Sequence, residues 1–132
     1  MNPPFDHRGR SWLGKFRSAG RGVLRALSEQ RSSFAVHLVV AGAVVIAGAL
    51  LRVTLVEWCV LILCVAAVLI AELFNTALEH LARAITRDHN EEIRDALDTS
   101  SGAVLLAALG AAIAGSLIFV HRLGVLLTWW DA

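Results

Sequence analysis

Between Trp58 and Ala71 the chain carries no polar side chain other than Cys59 and Cys64, and the helical apolar pattern then continues through Glu72, Asn75, Thr76 and Glu79. This stretch limits the fold more than any other. At a rise of about 1.5 Å per residue, roughly 20 residues cross the ~30 Å hydrocarbon core of a bilayer. A span that starts at Trp58 and takes about twenty residues ends near Ala77. Glu72 and Asn75 therefore fall at membrane depth, towards the inner leaflet. A carboxylate placed there costs roughly 2.5–3.5 kcal/mol on insertion scales, so it belongs in a bundle interior or a polar cavity.

The flanking sequence fits the same solvent. Phe34 to Leu51 is apolar apart from His37 and forms a first span, with Arg52, Thr54 and Glu57 marking a short outer connection. Arg87 to Arg94 reads as a charged cytoplasmic turn. A third span runs from about Thr99 to Val120 and on towards Leu127, and Trp129 and Trp130 sit where an outer aromatic belt would lie. Small residues along that span, among them Gly102, Ala107, Gly110 and Gly115, allow close helix approach. Before the first span, Trp12, Leu13, Phe16, Val23, Leu24 and Leu27 share one helical stripe, opposite Lys15, Arg17, Arg21 and Arg25. That is the pattern of a basic amphipathic helix lying in an interface.

The sequence thus predicts an all-α membrane protein, one domain over residues 1–132. It has a surface helix over about 11–30 and three transmembrane helices over 34–51, 56–82 and 98–122. At 57% hydrophobic residues and a mean hydropathy of +0.65, a water-soluble globule of this size is excluded in favour of a bilayer. Seven of the twelve Lys and Arg residues lie at or before Arg31. This places the N-terminus in the cytoplasm beside anionic headgroups and the C-terminus outside. It also explains the basic arm without nucleic acid. Cys59 and Cys64 are five residues apart in an apolar run, which suits packing better than metal binding.

Glu72, Asn75, Thr76, Glu79 and Arg83 share one stripe about 100° wide. Such a stripe can be a structural network between helices, or it can carry chemistry. Two carboxylates seven residues apart stand about 10 Å apart along the axis. One can take a proton from a hydroxyl arriving from lipid while the other holds Mg²⁺ on a nucleotide phosphate arriving from the cytosol. Asp98, at the inner mouth of the third span, is a further acceptor.

Ala71-Glu72-Leu73-Phe74-Asn75-Thr76-Ala77-Leu78-Glu79, followed by Asp98 and by Ser101-Gly102-Ala103-Val104-Leu105-Leu106, resembles the prokaryotic diacylglycerol kinase and undecaprenol kinase family. The resemblance implies an ATP- and Mg²⁺-dependent lipid kinase in the bacterial inner membrane, assembled as a homotrimer with sites between subunits. By the same resemblance, Glu72 is the general base and Glu79 the metal-binding carboxylate. Asn75 and Asp98 contact ATP or shape its site, and Asp88, His89 and Asn90 form a loop near the nucleotide. Glu29 is the nearest match to a second metal ligand. Two positions depart from the family pattern: Leu97 stands for the usual Lys, and Arg83 for the usual Asp. Arg83, or Arg94 one turn before Asp98, is the expected replacement for the phosphate-facing charge. The competing readings are a catalytically silent membrane scaffold or lipid-binding relative, favoured by Leu97, and a small proton-coupled transporter built on Glu72.

Overall fold

The computed structural model describes residues 11–29 and 31–129, and among these every regular element is a helix. They are α1 (Trp12–Glu29), α2 (Arg31–Leu50), α3 (Leu55–Ile85) and α4 (Glu91–Leu126). Trp130, expected in the outer belt, lies outside the described residues. The all-helical expectation holds. Both α3 and α4 are long and apolar enough to cross a membrane, whereas the apolar part of α2, Phe34–Leu50, is shorter.

Local chemistry explains where the helices stop. After α2, Arg52 adopts a left-handed φ of 53°, the Val53 N–H donates to the Gly48 carbonyl at 3.1 Å and the Arg52 N–H to that of Ala49 at 3.3 Å. This is the Schellman closure, made here without glycine. α3 then starts on a capping box: Thr54 Oγ1 accepts from the Glu57 N–H at 3.4 Å, and Glu57 Oε2 accepts from the Thr54 N–H at 2.6 Å. The close return of α3 along α2 depends on Gly48, where a Cβ would come within 2.7 Å of the Trp58 ring.

The turn between α3 and α4 is shorter than the charge pattern suggests. Only residues 86–90 leave the helices, and Glu91 to Arg94, expected in the turn, belong to α4. The reason is a cap: Asn90 Oδ1 accepts from the Ile93 N–H at 3.1 Å, and Glu91 and Glu92 in the first turn complement the helix dipole. Two turns of α4 are thereby added ahead of Asp98.

α3 and α4 form the main antiparallel pair. Where α3 begins and α4 ends, Arg122 Nε donates to both Glu57 carboxylate oxygens, at 2.7 and 3.0 Å. Less than two turns from the start of α3, Leu61 packs on Gly115, 3.9 Å from where a Cβ would stand. Gly102 and Gly110, by contrast, have nothing within 4 Å of that position, so only part of the small-residue stripe is used inside one chain.

Burial runs opposite to that of a water-soluble protein. On α3 the buried residues include Glu72, Asn75 and Thr76, while Leu63, Ile70 and Phe74 are 69%, 53% and 68% exposed. Trp12, Leu13, Phe16 and Leu24 on α1 are exposed as well, and Lys15 Nζ lies 4.6 Å from the centre of the Trp12 ring. A surface of this kind is stable in contact with lipid, where apolar side chains carry no hydration penalty.

Candidate active site at the inner end of the α3–α4 pair

The polar stripe of α3 points towards the other helices because every alternative exposes a carboxylate or an amide to lipid. Glu72 is 2% exposed, and its Oε2 stands 4.0 Å from His37 Nε2 on α2. One turn on, the Asn75 Nδ2–H donates to Glu79 Oε1 at 3.1 Å, while the Ser100 hydroxyl on α4 donates to Asn75 Oδ1 at 2.6 Å. Arg83 lies 3.8 Å from Glu79 Oε2 at i,i+4 spacing. Thr76 is also buried, and its Oγ1 has no hydrogen-bond partner among the described residues. It lines a space of about 570 Å³ between α1 and α3, beside Ala19, Gly22 and Ala26.

Below the stripe, a cavity of about 390 Å³ opens at the turn between α3 and α4. Its walls include Glu79, Arg83, Asp88, His89, Asn90 and Arg94. All six were expected near the nucleotide or its phosphates, Arg94 as the alternative to Arg83, and the fold gathers them around one space. Arg94 joins them from the first turn of α4, and Leu97 closes the wall above it. Asp98 does not line this cavity; it is exposed, one residue round the helix from Leu97. The side chain of Glu29 lies outside the described residues.

Mg²⁺ fits this donor set only in one manner. Among the described residues no three His, Cys, Asp or Glu side chains converge, so an all-protein cage is not formed. Mg²⁺ is commonly held by one or two carboxylates plus phosphate oxygens and water, and Glu79 on the cavity wall suits that mode.

Sequence reasoning missed three partners. In the sequence His37 is only a polar interruption of the first span, with a headgroup contact or interfacial snorkelling as its readings, yet it faces Glu72. Ser100 was overlooked, although it follows Leu97 by one turn on the α4 face that meets α3. The Glu57–Arg122 pair was also unforeseen; its signal is two opposite charges at equal depth near the outer ends of two spans.

Residues 17–119 match the sequence profile of a family described as prokaryotic diacylglycerol kinase. An undecaprenol kinase from Bacillus subtilis is 35% identical over 120 residues, covering 89% of this chain and 97% of that protein. A diacylglycerol kinase from Synechocystis sp. is 38% identical over 112 residues, 84% of this chain and 63% of that longer relative. No solved structure matches the chain.

Proposed function

The chain belongs to the prokaryotic diacylglycerol kinase family, and from that membership and the buried stripe on α3 we propose that it transfers the γ-phosphoryl group of ATP to the hydroxyl of a membrane lipid. The lipid is diacylglycerol or undecaprenol, the two acceptors named for its relatives. The observation that carries the reading is a buried carboxylate, Glu72, two turns along α3 from Glu79 on the wall of a polar cavity at the α3–α4 turn. Lipid reaches the first and water-soluble nucleotide the second.

In this reading Glu72 accepts the proton of the lipid hydroxyl as its oxygen attacks the γ-phosphorus. The bond from that phosphorus to the β–γ bridging oxygen breaks, and ADP leaves. Glu79 would hold Mg²⁺, which neutralises charge on the phosphate oxygens when bound. Arg83 and Arg94 face the phosphates in place of the lysine that Leu97 displaces, and Asp88, His89 and Asn90 border the nucleotide. Most of the acceleration comes from positioning and charge neutralisation.

The same reading carries three finer assignments. Phe34–Leu50 is a third crossing, which puts the N-terminus and the α3–α4 turn in the cytoplasm, in the inner membrane of a bacterium. Residues 1–132 form one membrane domain. The chain works as a homotrimer, a reading supported by the exposure of Asp98 and by the open space at Gly102 and Gly110. In that assembly Asp98 of one copy completes the site of the next.

The test is phosphorylation of both lipids by purified protein in vesicles with labelled ATP. The expected result is Mg²⁺-dependent transfer that needs lipid acceptor and is lost in Glu72→Gln. Leu97 favours one competing reading, a silent scaffold, and a wild-type protein that consumes no ATP with either lipid would establish it instead.

A further inference from the structure

Asn75 accepts a hydrogen bond across the α3–α4 contact and donates one within α3, and counting protons shows what sets them. Its Oδ1 faces Ser100 Oγ at 2.6 Å and Ser101 Oγ at 3.4 Å. Both hydroxyls also reach the Leu97 carbonyl, at 2.9 and 3.0 Å. Each hydroxyl has one proton to give. Two protons therefore serve two acceptors. The short Ser100–Asn75 contact takes one, and the Leu97 carbonyl, four residues back from Ser101, takes the other.

The opposite orientation of the amide is excluded by its other neighbour. An ionised carboxylate only accepts, so turning Oδ1 onto Glu79 would set two acceptors against each other across a 3.1 Å gap. Asn75 must present its N–H to Glu79, and its oxygen is then committed to α4. Asn75 is 7% exposed, so water does not readily replace the Ser100 donor.

We infer that Ser100 is a positioning residue for the cation site: by donating to Asn75 Oδ1 it holds the Asn75 N–H on Glu79, and so fixes that carboxylate on the cavity wall. The inference rests on the reading of Glu79 as the cation-holding carboxylate. Ser100 acts through Asn75 and touches neither substrate nor metal.

Mn²⁺ is the probe, titrated by electron paramagnetic resonance into full-length protein in lipid nanodiscs with ADP present. Wild type, Ser100→Ala, Ser100→Thr and Glu79→Gln are compared, and lipid phosphorylation is measured on the same samples. Ser100→Ala should weaken Mn²⁺ binding about 10-fold, as expected for one hydrogen bond in a charged network. Ser100→Thr should restore it, and the lipid concentration for half-maximal rate should stay unchanged. Wild-type Mn²⁺ affinity in Ser100→Ala, or failure of threonine to rescue, overturns the inference. Ser100→Cys keeps a side chain of similar size with only a weak donor and takes the place of the alanine variant should that fail to fold. If Glu79→Gln binds Mn²⁺ as wild type does, the Glu79 reading fails and this inference with it. If wild type binds Mn²⁺ but consumes no ATP, the kinase reading fails while the Ser100 comparison still decides this one.

Discussion

Leu97 occupies a wall of the polar cavity where the family pattern has a cation, and two arginines border the same space. Arg83 is tied to Glu79 at 3.8 Å, so its loss frees that carboxylate and, in the proposed reading, also removes a phosphate contact. Arg94 approaches from α4, with Asp95 as its ion-pair neighbour at 3.7 Å. Both side chains are well exposed, which limits each contribution by solvent screening. Arg83→Ala and Arg94→Ala should each raise the ATP concentration for half-maximal rate by about 3- to 10-fold, and the double variant by more than either. A rate curve against ATP that is unchanged in both single variants would remove the arginines from the nucleotide site. At this scale the sequence was informative wherever a residue was expensive. Glu72, Asn75 and Thr76 stood out because polar groups in an apolar span need partners, and all three are buried. Ser100 did not stand out, because a serine in a helix costs little. Its meaning depends on the register of α4 against α3, which no local pattern encodes.

At the end of the bundle where α2 meets α3, the helices are held by two contacts that differ in kind. Gly48 admits the Trp58 ring, and a methyl group at that position would meet it at 2.7 Å. Gly48→Ala should destabilise the α2–α3 hairpin by about 1–3 kcal/mol through overpacking, read as a lower midpoint in reversible detergent unfolding followed by circular dichroism. Trp58→Leu in the same chain should recover part of the loss. Between α3 and α4 the clamp is Glu57 with Arg122, whose side chains are 18% and 16% exposed. Arg122→Leu leaves the carboxylate without its partner and should cost about 1–3 kcal/mol, below the range of a fully buried pair. Adding Glu57→Leu should return part of that cost. A double variant no more stable than Arg122→Leu would contradict this account. Helix types and the amphipathic α1 were legible from periodicity alone. The start of α4 was not, since Glu91 to Arg94 are as charged as a turn, and only the Asn90 cap shows that the helix has already begun.

Seen whole, one chain leaves large apolar side chains exposed on all four helices, from Trp12 and Val39 to Phe74 and Leu117. The general class of surrounding was legible in composition, because 57% hydrophobic residues cannot be hidden in a globule this small. The arrangement was less so: whether a given face meets lipid or another copy depends on assembly, which the apolar pattern treats alike. The basic face of α1 adds a charge term. Raising the fraction of anionic lipid in vesicles should increase binding of a peptide spanning residues 11–29, and about 0.5 M salt should reverse that increase. Equal binding to neutral and anionic vesicles would remove the electrostatic part of the surface-helix reading. The exposed apolar girdle also changes what concentration means for such an enzyme. Its acceptor is dissolved in the same two-dimensional fluid that solvates the protein, so diluting the suspension with buffer leaves that acceptor as crowded as before. The governing variable is mole fraction within the bilayer, and inert phospholipid acts as the diluent.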